Sequence, residues 1–465
     1  MKSWQSSEIF SALGRESAPS PCQGEQQFAC MSTDTRRITP GALFVPLVGE
    51  RFDAHDFAAQ ALKEGAGAIL WGRPGELPEG LDAARVFRVD DTLTALQSLG
   101  HYHLKKRVNC RVVAITGSTG KTTTKDIVSA ILGVGYRVYK TSGNFNNDVG
   151  VALSLLELEA HHQVAVLELA MRGVGQIRRL TELVDPEVGL ITNIGSSHLE
   201  LLGSREQIAH AKGELFESMS PAGKGIVPLD SEFYSMLSGK VKGPQVSFSA
   251  RESGVADYRP LHLENLGLEG YRVELTCSQG QLWTLPLPGP HHLEDFTAAW
   301  AVGHHFTIDP AAVQAALSSM RLSGLRLEVE KLPDGTVLLN DSYNAAPDSM
   351  KASLQVLSYA EGRKVAVLGD MLELGPTELE LHHEVGQFAA SMMLDTIVAV
   401  GPRSQEVARA ARAAGCCSVF HFDSAEQLKP SLAELVLPGD TVLLKGSRGM
   451  HLDTLAGSIG GQREP

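Results

Sequence analysis

At 465 residues the chain is too long for one hydrophobic core, so two to four domains of roughly 100–200 residues are expected, with three as the first division. A hydrophobic share of 43%, a charged share of 20% and only 6% aromatics fit a globular enzyme and exclude a disordered or fibrous chain. With 41 Lys and Arg against 54 Asp and Glu, the formal charge is −13, which argues against nucleic acid as a partner and leaves anions to be held by local devices. No stretch approaches the roughly 18 uninterrupted apolar residues of a membrane span, and the N-terminal MKSWQSSEIFSALG lacks the pattern of a secretory signal. Cys22, Cys30, Cys110, Cys277, Cys416 and Cys417 show neither metal-ligand nor disulfide spacing, as expected in a reducing compartment. A cytoplasmic enzyme without a membrane partner is the expectation, and the fold class is α/β.

In chain order, residues 1–108 give short apolar runs (ALFVPLVG, AGAILW, ARVFRVD), a helical pattern over DAHDFAAQALKEGA and a helix from about Thr92 to Lys106, a small α/β domain. Residues 109–322 open with the run RVVAIT, a glycine loop, a helix carrying Ile127, Val128, Ile131 and Leu132, then YRVYKT, which is a βαβ unit. VAVLEL, VGLITNI and GKGIVPLD continue the alternation as a mostly parallel, P-loop-type sheet. PLPGPHH reads as a loop entering a helix, and RLSGLR as a hinge. Residues 323–465 restart with TVLLND, a helix from about Ser349, KVAVLGD, a helix over 378–392, TIVAV, a helix over 404–414, SVFHF, a helix over 425–435, and DTVLLKG. That is a second, Rossmann-like doubly wound sheet.

Thr116-Gly117-Ser118-Thr119-Gly120-Lys121-Thr122-Thr123 lies between a strand and a helix. A triphosphate needs converging backbone N–H donors where side chains do not intrude, plus a helix N-terminus aimed at the charge. Gly117 and Gly120 supply the bare backbone, Lys121 would reach the β- and γ-phosphates, and the Thr122 hydroxyl would ligate Mg²⁺. Only two residues separate the glycines, where the general phosphate-loop pattern has four. A glycine turn with a surface lysine would leave the GKTTT run unexplained.

This short loop resembles the ATP loop of the Mur ligases, which add amino acids to a UDP-linked cell-wall precursor. Thr141-Ser142-Gly143-Asn144-Phe145-Asn146-Asn147-Asp148 is similar to that family's substrate loop, which implies substrate contacts for Asn144, Asn146 and Asn147. Glu168, at the end of VAVLEL, stands where the family has a Mg²⁺-binding glutamate, and Thr192-Asn193-Ile194 followed by His198 resembles its strand end with a metal-binding histidine. Ala211-Lys212-Gly213-Glu214 resembles the segment whose lysine is carbamylated; that change turns a cation into a carboxylate ligand for a second Mg²⁺. Read alone, Glu168 would be an excluded core charge, His198 a loop histidine and Lys212 a helix-surface lysine.

Asp341-Ser342-Tyr343-Asn344-Ala345-Ala346-Pro347, Leu368-Gly369-Asp370-Met371-Leu372-Glu373-Leu374-Gly375 and Lys445-Gly446-Ser447-Arg448 are similar to the D-alanyl-D-alanine-adding members of the family, and the D-N-P-R motif of the sister branch is not found. Ser32-Thr33-Asp34-Thr35-Arg36 looks like their uridine-nucleotide domain. The resemblance implies substrate contacts for Ser32, Asp34, Arg36, Asp370 and Lys445, and ATP contacts for Gly117 through Thr123, His291, Asp295, Arg326, Asp341 and Asn344. Lys121, Glu168, His198, Lys212 and Arg326 would carry catalysis, with Thr122, Glu168, His198 and Lys212 as the metal set. The family's GxHNxxN segment reads Gly289-Pro290-His291-His292-Leu293-Glu294-Asp295 here, so both asparagines are replaced. The implied reaction is ATP- and Mg²⁺-dependent ligation of D-alanyl-D-alanine to a UDP-N-acetylmuramoyl tripeptide by a monomer. A related ligase with another amino acceptor, such as a folylpolyglutamate-type enzyme, and a non-catalytic nucleotide-binding regulator are the alternatives.

Overall fold

The computed structural model describes residues 3–14, 25–49, 52–197 and 199–460. It forms two compact units, one of Met1–Val112, Arg137–Leu169 and Arg179–Asp185, the other of Val113–Tyr136, Ala170–Arg178 and Pro186–Pro465. Cys30, Cys110, Cys277, Cys416 and Cys417 are free thiols; Cys22 lies outside the described residues. No described helix is long and apolar enough to cross a membrane.

In the first unit the short strands Met31–Ser32, Leu43–Phe44, Ala68–Trp71 and Val86–Arg88 lie side by side in that order, all parallel. Phe44, Ile69, Trp71 and Val86 pack with Ala54, Ala58, Ala61 and Ala66; the alanines let the covering helix approach closely. The helical pattern over DAHDFAAQALKEGA resolves into a 3₁₀ turn, Ala54–Phe57, capped by the Asp53 side chain, and an α-helix, Ala58–Lys63. The helix Thr92–Tyr102 starts on the Asp91 carboxylate, which accepts from Thr94 N at 2.7 Å. It stops short of the expected Lys106, because the chain widens into a π-helical turn over His103–Val108 and leaves through Asn109 at φ 56°. It packs on the helix Asp148–Leu156 at Gly100, where a Cβ would lie 3.0 Å from the Ala152 carbonyl. The parallel pair Val138–Lys140 and Val164–Glu168 completes this unit, and the second strand is buried along its length.

In the second unit the strand ending at Thr116 pairs in parallel with Val188–Ile191, which pairs with Lys224–Pro228 and then Gln245–Phe248. An antiparallel sheet of Pro260–Asn265, Tyr271–Leu275 and Leu282–Leu285 follows. It was not anticipated; its signal is the period-two alternation that buries Tyr271, Val273 and Leu275 and, opposite, Trp283 and Leu285. The last sheet has six strands in the order Glu328–Lys331, Val337–Asp341, Thr441–Lys445, Lys364–Gly369, Thr396–Val400, Val419–Phe422, parallel except for the first pair. The antiparallel edge strand EVEK is charged and exposed, which discourages further pairing. Apolar clusters cover both faces, Met350, Leu354 and Val385 on one side and Leu428, Leu432 and Leu455 on the other. The helix expected over 425–435 is broken into Ala425–Leu428, a 3₁₀ turn Lys429–Ser431 and Leu432–Leu435, since Pro430 has no N–H to continue it. Asp341, Asp370 and Lys445 end or follow adjacent parallel strands, at the carboxyl edge where doubly wound sheets bind ligands.

Candidate active site

The phosphate loop runs from the strand Arg111–Thr116 into the helix Lys121–Leu132. Gly117 has φ 154° and Gly120 φ 77°. A Cβ on Gly117 would collide with the Thr192 hydroxyl, and one on Gly120 with an Asp295 carboxylate oxygen; both positions require glycine. The residues after Val188–Ile191 brace the loop. Ser118 N donates to the Asn193 carbonyl (3.0 Å) and Thr119 N to Asn193 Oδ1 (3.0 Å), the Thr192 hydroxyl donates to the Thr119 carbonyl (2.6 Å), and Gly195 N donates to Ser118 Oγ (2.8 Å). Thr192-Asn193 thus shapes the loop from behind. Thr122 and Thr123 are buried at the start of the helix.

Two ammonium groups meet at this loop. Lys121 Nζ donates to the carbonyls of Gly117 (2.8 Å) and Ser118 (3.3 Å). Lys212 Nζ, on the helix Arg205–Ser218 and only 1% exposed, donates to the same Gly117 carbonyl at 2.8 Å. Lys212 is therefore no surface lysine. Glu214, beside it in sequence, accepts from the backbone N–H groups of Gly175 (2.7 Å) and Arg178 (3.1 Å), which is a structural use of that carboxylate.

In the first unit, Glu168 is buried at the end of its strand, accepts from Asn146 Nδ2 at 2.8 Å and donates its backbone N–H to the Thr141 hydroxyl at 3.1 Å. Asn147 caps the helix Asp148–Leu156 by accepting from Gly150 N (2.8 Å), and Asn144 is exposed. The three asparagines thus divide into a Glu168 partner, a helix cap and a solvent-facing side chain. Asp34 caps the turn Thr35–Arg37 and forms a two-point ion pair with Arg36 (2.9 and 2.9 Å). The hydrogen bonds from Arg36 hold the Asp34 carboxyl down to about 2. Ser32 donates to the Asp34 carbonyl at 3.2 Å. His198 lies outside the described residues, and among those described no group of three or more His, Cys, Asp or Glu is placed to hold a metal.

The helix Pro290–His305 brings Asp295, in its second turn, to the phosphate loop. Asp295 is buried and accepts from the Thr124 hydroxyl at 2.7 Å. Burial pushes its carboxyl well above the usual range, against the pull of the Thr124 hydrogen bond. His292 donates Nδ1–H to the Pro288 carbonyl at 2.7 Å, and burial lowers it to about 4. His291 is lowered by burial, by His292 and by Lys445, and its buried Nδ1 has no hydrogen-bond partner. Arg326 sits between Leu325 at φ 61° and Leu327 at φ 51°, a left-handed backbone that bulky residues rarely adopt. Its guanidinium lies 4.1 Å from the Tyr343 ring centroid, and its Nε is buried without a hydrogen-bond partner.

Asp341 and Lys445, read separately as nucleotide and substrate contacts, form one ion pair of 2.7 Å. Ser353 Oγ also donates to Asp341 Oδ2 (2.5 Å), and Lys445 Nζ to the Asn344 carbonyl (3.1 Å). The Asn344 side chain accepts from Ala345 N at 2.9 Å. Asp370 is buried, with its carboxylate engaged by Ser404 N (2.7 Å), Arg403 N (3.3 Å) and the Arg403 guanidinium (3.7 Å). It clamps the turn after Thr396–Val400. The geometry gives roles to three further residues. Asp348 accepts from Ser196 N at 3.3 Å, linking the start of the helix Pro347–Ser358 to the brace behind the phosphate loop. Ser447 and His382 hold the backbone that follows Asp370. Ser447 lay inside the Lys445-Gly446-Ser447-Arg448 motif and Asp348 directly after Pro347, but His382 carried no signal beyond its place on an amphipathic helix.

Family models match three successive segments. The model of the Mur ligase family, catalytic domain, covers residues 27–103, that of the Mur ligase middle domain 115–303, and that of the Mur ligase, glutamate ligase domain, 325–448. The UDP-N-acetylmuramoyl-tripeptide–D-alanyl-D-alanine ligase of Bacillus subtilis (strain 168) is 37% identical over 434 residues, 91% of this chain and 92% of that one. The enzyme of that name from Escherichia coli (strain K12) is 35% identical over 92% and 93%. A crystal structure of MurF from Acinetobacter baumannii superposes with a TM-score of 0.88 at 32% identity over 99% of each chain. MurF ligase from Thermotoga maritima, solved in complex with ADP, gives 0.80 at 27% over 93% and 97%.

Proposed function

The chain belongs to the Mur ligase family, and from that premise we propose how its residues join D-alanyl-D-alanine to a UDP-N-acetylmuramoyl tripeptide at the expense of ATP. The enzyme is an ATP-dependent carbon–nitrogen ligase of peptidoglycan precursor synthesis. A carboxylate is a poor electrophile, which is why ATP is needed. The γ-phosphoryl group passes to the terminal carboxylate of the tripeptide with release of ADP. The amine of the dipeptide attacks the acyl carbon, the new C–N bond forms, phosphate leaves with the C–O bond electrons, and the amine proton goes to solvent. The protein's share is positioning and charge stabilisation.

The observation that carries this reading is the meeting of Lys121 and Lys212 on the Gly117 carbonyl. Both ammonium groups are held at the mouth of a phosphate loop whose amides are oriented by Asn193. Arg326, held between the left-handed Leu325 and Leu327, adds a third cation for the transferring phosphoryl group. Thr122 and Glu168 are buried and carry oxygen donors of the hard kind that Mg²⁺ takes; they would hold the first ion and His198 the second, to which Lys212 would add an oxygen ligand once carbamylation had exchanged its ammonium for a carboxylate. When bound, the metal neutralises phosphate charge. His291, Asp295, Asp341 and Asn344 take the nucleoside side. Ser32, Asp34, Arg36, Asn144, Asn146 and Asn147 take the uridine-linked precursor, and Lys445, with the loop that begins at the inward-turned Asp370, takes the dipeptide side. In this reading residues 1–108 bind the precursor, 109–322 bind ATP and 323–465 close the site, in a cytoplasmic monomer.

The test is release of ADP and phosphate. It should require the UDP-linked tripeptide and D-alanyl-D-alanine together; release with the tripeptide and another amine, and none with this dipeptide, would overturn the acceptor assignment.

A further inference from the structure

The helix Glu378–Ser391 carries a fully buried histidine whose two ring nitrogens are spent on two different pieces of backbone. His382 Nε2 accepts from Met371 N at 3.0 Å, and Nδ1 lies 2.6 Å from the Glu378 carbonyl one turn earlier. A backbone N–H only donates and a carbonyl only accepts, so the ring must be the neutral Nδ1–H tautomer. Burial lowers its pKa below the ordinary 6.5; Asp370 and Glu378 nearby favour the charged form and Arg403 opposes it.

The backbone it holds is anchored residue by residue. The Asp370 carbonyl accepts from Ser447 N (3.0 Å), Met371 N donates to His382, and Leu372 N donates to Ser447 Oγ (2.9 Å). Glu373 then turns through φ 61°, a conformation that needs such anchoring in a residue with a side chain. Gly375 at φ 68° comes against the short helix Leu199–Leu202, where a Cβ would stand 3.1 Å from the Glu200 Cα. The loop Asp370–Gly375 thus spans from the turn after Lys445 to the segment that follows the phosphate-loop brace, at the carboxyl edge of its sheet.

We infer that His382 is a positioning residue for the amino acceptor: its uncharged imidazole fixes the loop Asp370–Gly375 that lines the dipeptide side of the site. This rests on the ligase reading above and deepens it. The residue acts through the Met371 amide and touches no reacting atom.

Two uncharged variants of the full-length enzyme separate its two hydrogen bonds. His382→Gln keeps an acceptor near the Nε2 position and gives up the bond to Glu378, whereas His382→Asn keeps a donor near Nδ1 and leaves Met371 N without an acceptor. With ATP and UDP-linked tripeptide saturating, His382→Asn should raise KM for D-alanyl-D-alanine about tenfold, the cost of one buried N–H left unpaired. His382→Gln should stay within about twofold of the parent, and KM for ATP should hold within about twofold in both. Hydrogen–deuterium exchange over residues 370–377 should quicken in the Asn variant alone. Equal effects of the two variants, or an ATP KM that moves with the dipeptide KM, would overturn the inference. Should the Asn variant fail to fold, the parent enzyme decides. Acidification that protonates the imidazole must raise the dipeptide KM beyond the rise that protonation of the acceptor's own amine produces in His382→Gln, and spare that for ATP; superimposable profiles of the two enzymes overturn it. If the parent enzyme itself does not turn over the dipeptide, the ligase reading falls. Exchange over 370–377 then tells whether His382 holds the loop.

Discussion

Two strand-to-helix loops of the second unit, both recognisable as motifs, are built in opposite ways. In Gly117–Gly120 the backbone is shaped from behind by Thr192, Asn193 and Gly195, and the side chains at its mouth include two lysines on a single carbonyl. In Asp370–Gly375 the motif's own carboxylate is turned inward, onto the amides of Arg403 and Ser404, and the anchors are a buried histidine and a serine. The groups around the first loop are also less well matched. Asp295, Glu294, His291 and His292 are all pushed toward their neutral forms, with burial the largest cause. A region that concentrates positive charge and suppressed ionisation gives up stability for chemistry, while one whose buried carboxylate and backbone N–H groups are paired supports it.

The sharpest way to break this comparison is at Lys121. Lys121→Ala should lower kcat/KM by about 10²–10³-fold or more, as removal of one preorganised charge-stabilising donor does, with little change in Tm because the Gly117 carbonyl keeps the Lys212 ammonium as donor and the Ser118 carbonyl the Ser197 hydroxyl. Steady-state kinetics beside a thermal melt measure both. Wild-type activity in the variant would remove the loop from the mechanism.

Asp370→Ala should do the reverse. It strips the acceptor from two backbone N–H groups in a buried turn, so urea unfolding should show a loss of about 3 kcal/mol, within the range for buried donors left unpaired. Any rise in the dipeptide KM should then accompany that loss. A variant of unchanged stability that loses only dipeptide affinity would make Asp370 a direct substrate contact and dissolve the contrast between the loops.

This contrast also marks how far the sequence could be read. The doubly wound sheets and the phosphate loop were legible because buried parallel strands leave continuous apolar runs, such as VVAIT and VAVLG, and glycines at fixed spacing leave a spelling. The antiparallel sheet over 260–285 was not, since its half-buried strands alternate and look like loop beside those runs. Lys212 was identified only through a resemblance; its burial against Gly117 depends on contacts 95 residues apart in the chain. His382 had no spelling at all, because a histidine that bonds to backbone on both sides is written into the sequence only as one polar residue on a helix. The reverse holds for Asp370: the motif was found, but whether its carboxylate faces ligand or chain is decided by the turn after Thr396–Val400.

The smallest expected effect tests the mismatch around the first loop. Burial, reinforced by Asp230 and only partly offset by Arg251, pushes the Glu294 carboxyl from 4.5 up to about 7. The folded protein therefore keeps this proton up to about pH 7 while the unfolded chain releases it near 4.5, so the folded state binds more protons across that window. Stability contributed at this position falls as pH rises from 4.5 to 7 and stays low above it. Glu294→Gln removes the titration. The variant should match the parent near pH 4.5 and exceed it at pH 8 by about 1–3 kcal/mol in urea unfolding. A gain of the same size at both pH values would mean that packing is the cause, and a loss at pH 8 would mean that Glu294 is a paired carboxylate. Either result would leave the phosphate-loop neighbourhood as well matched as the loop after Asp370.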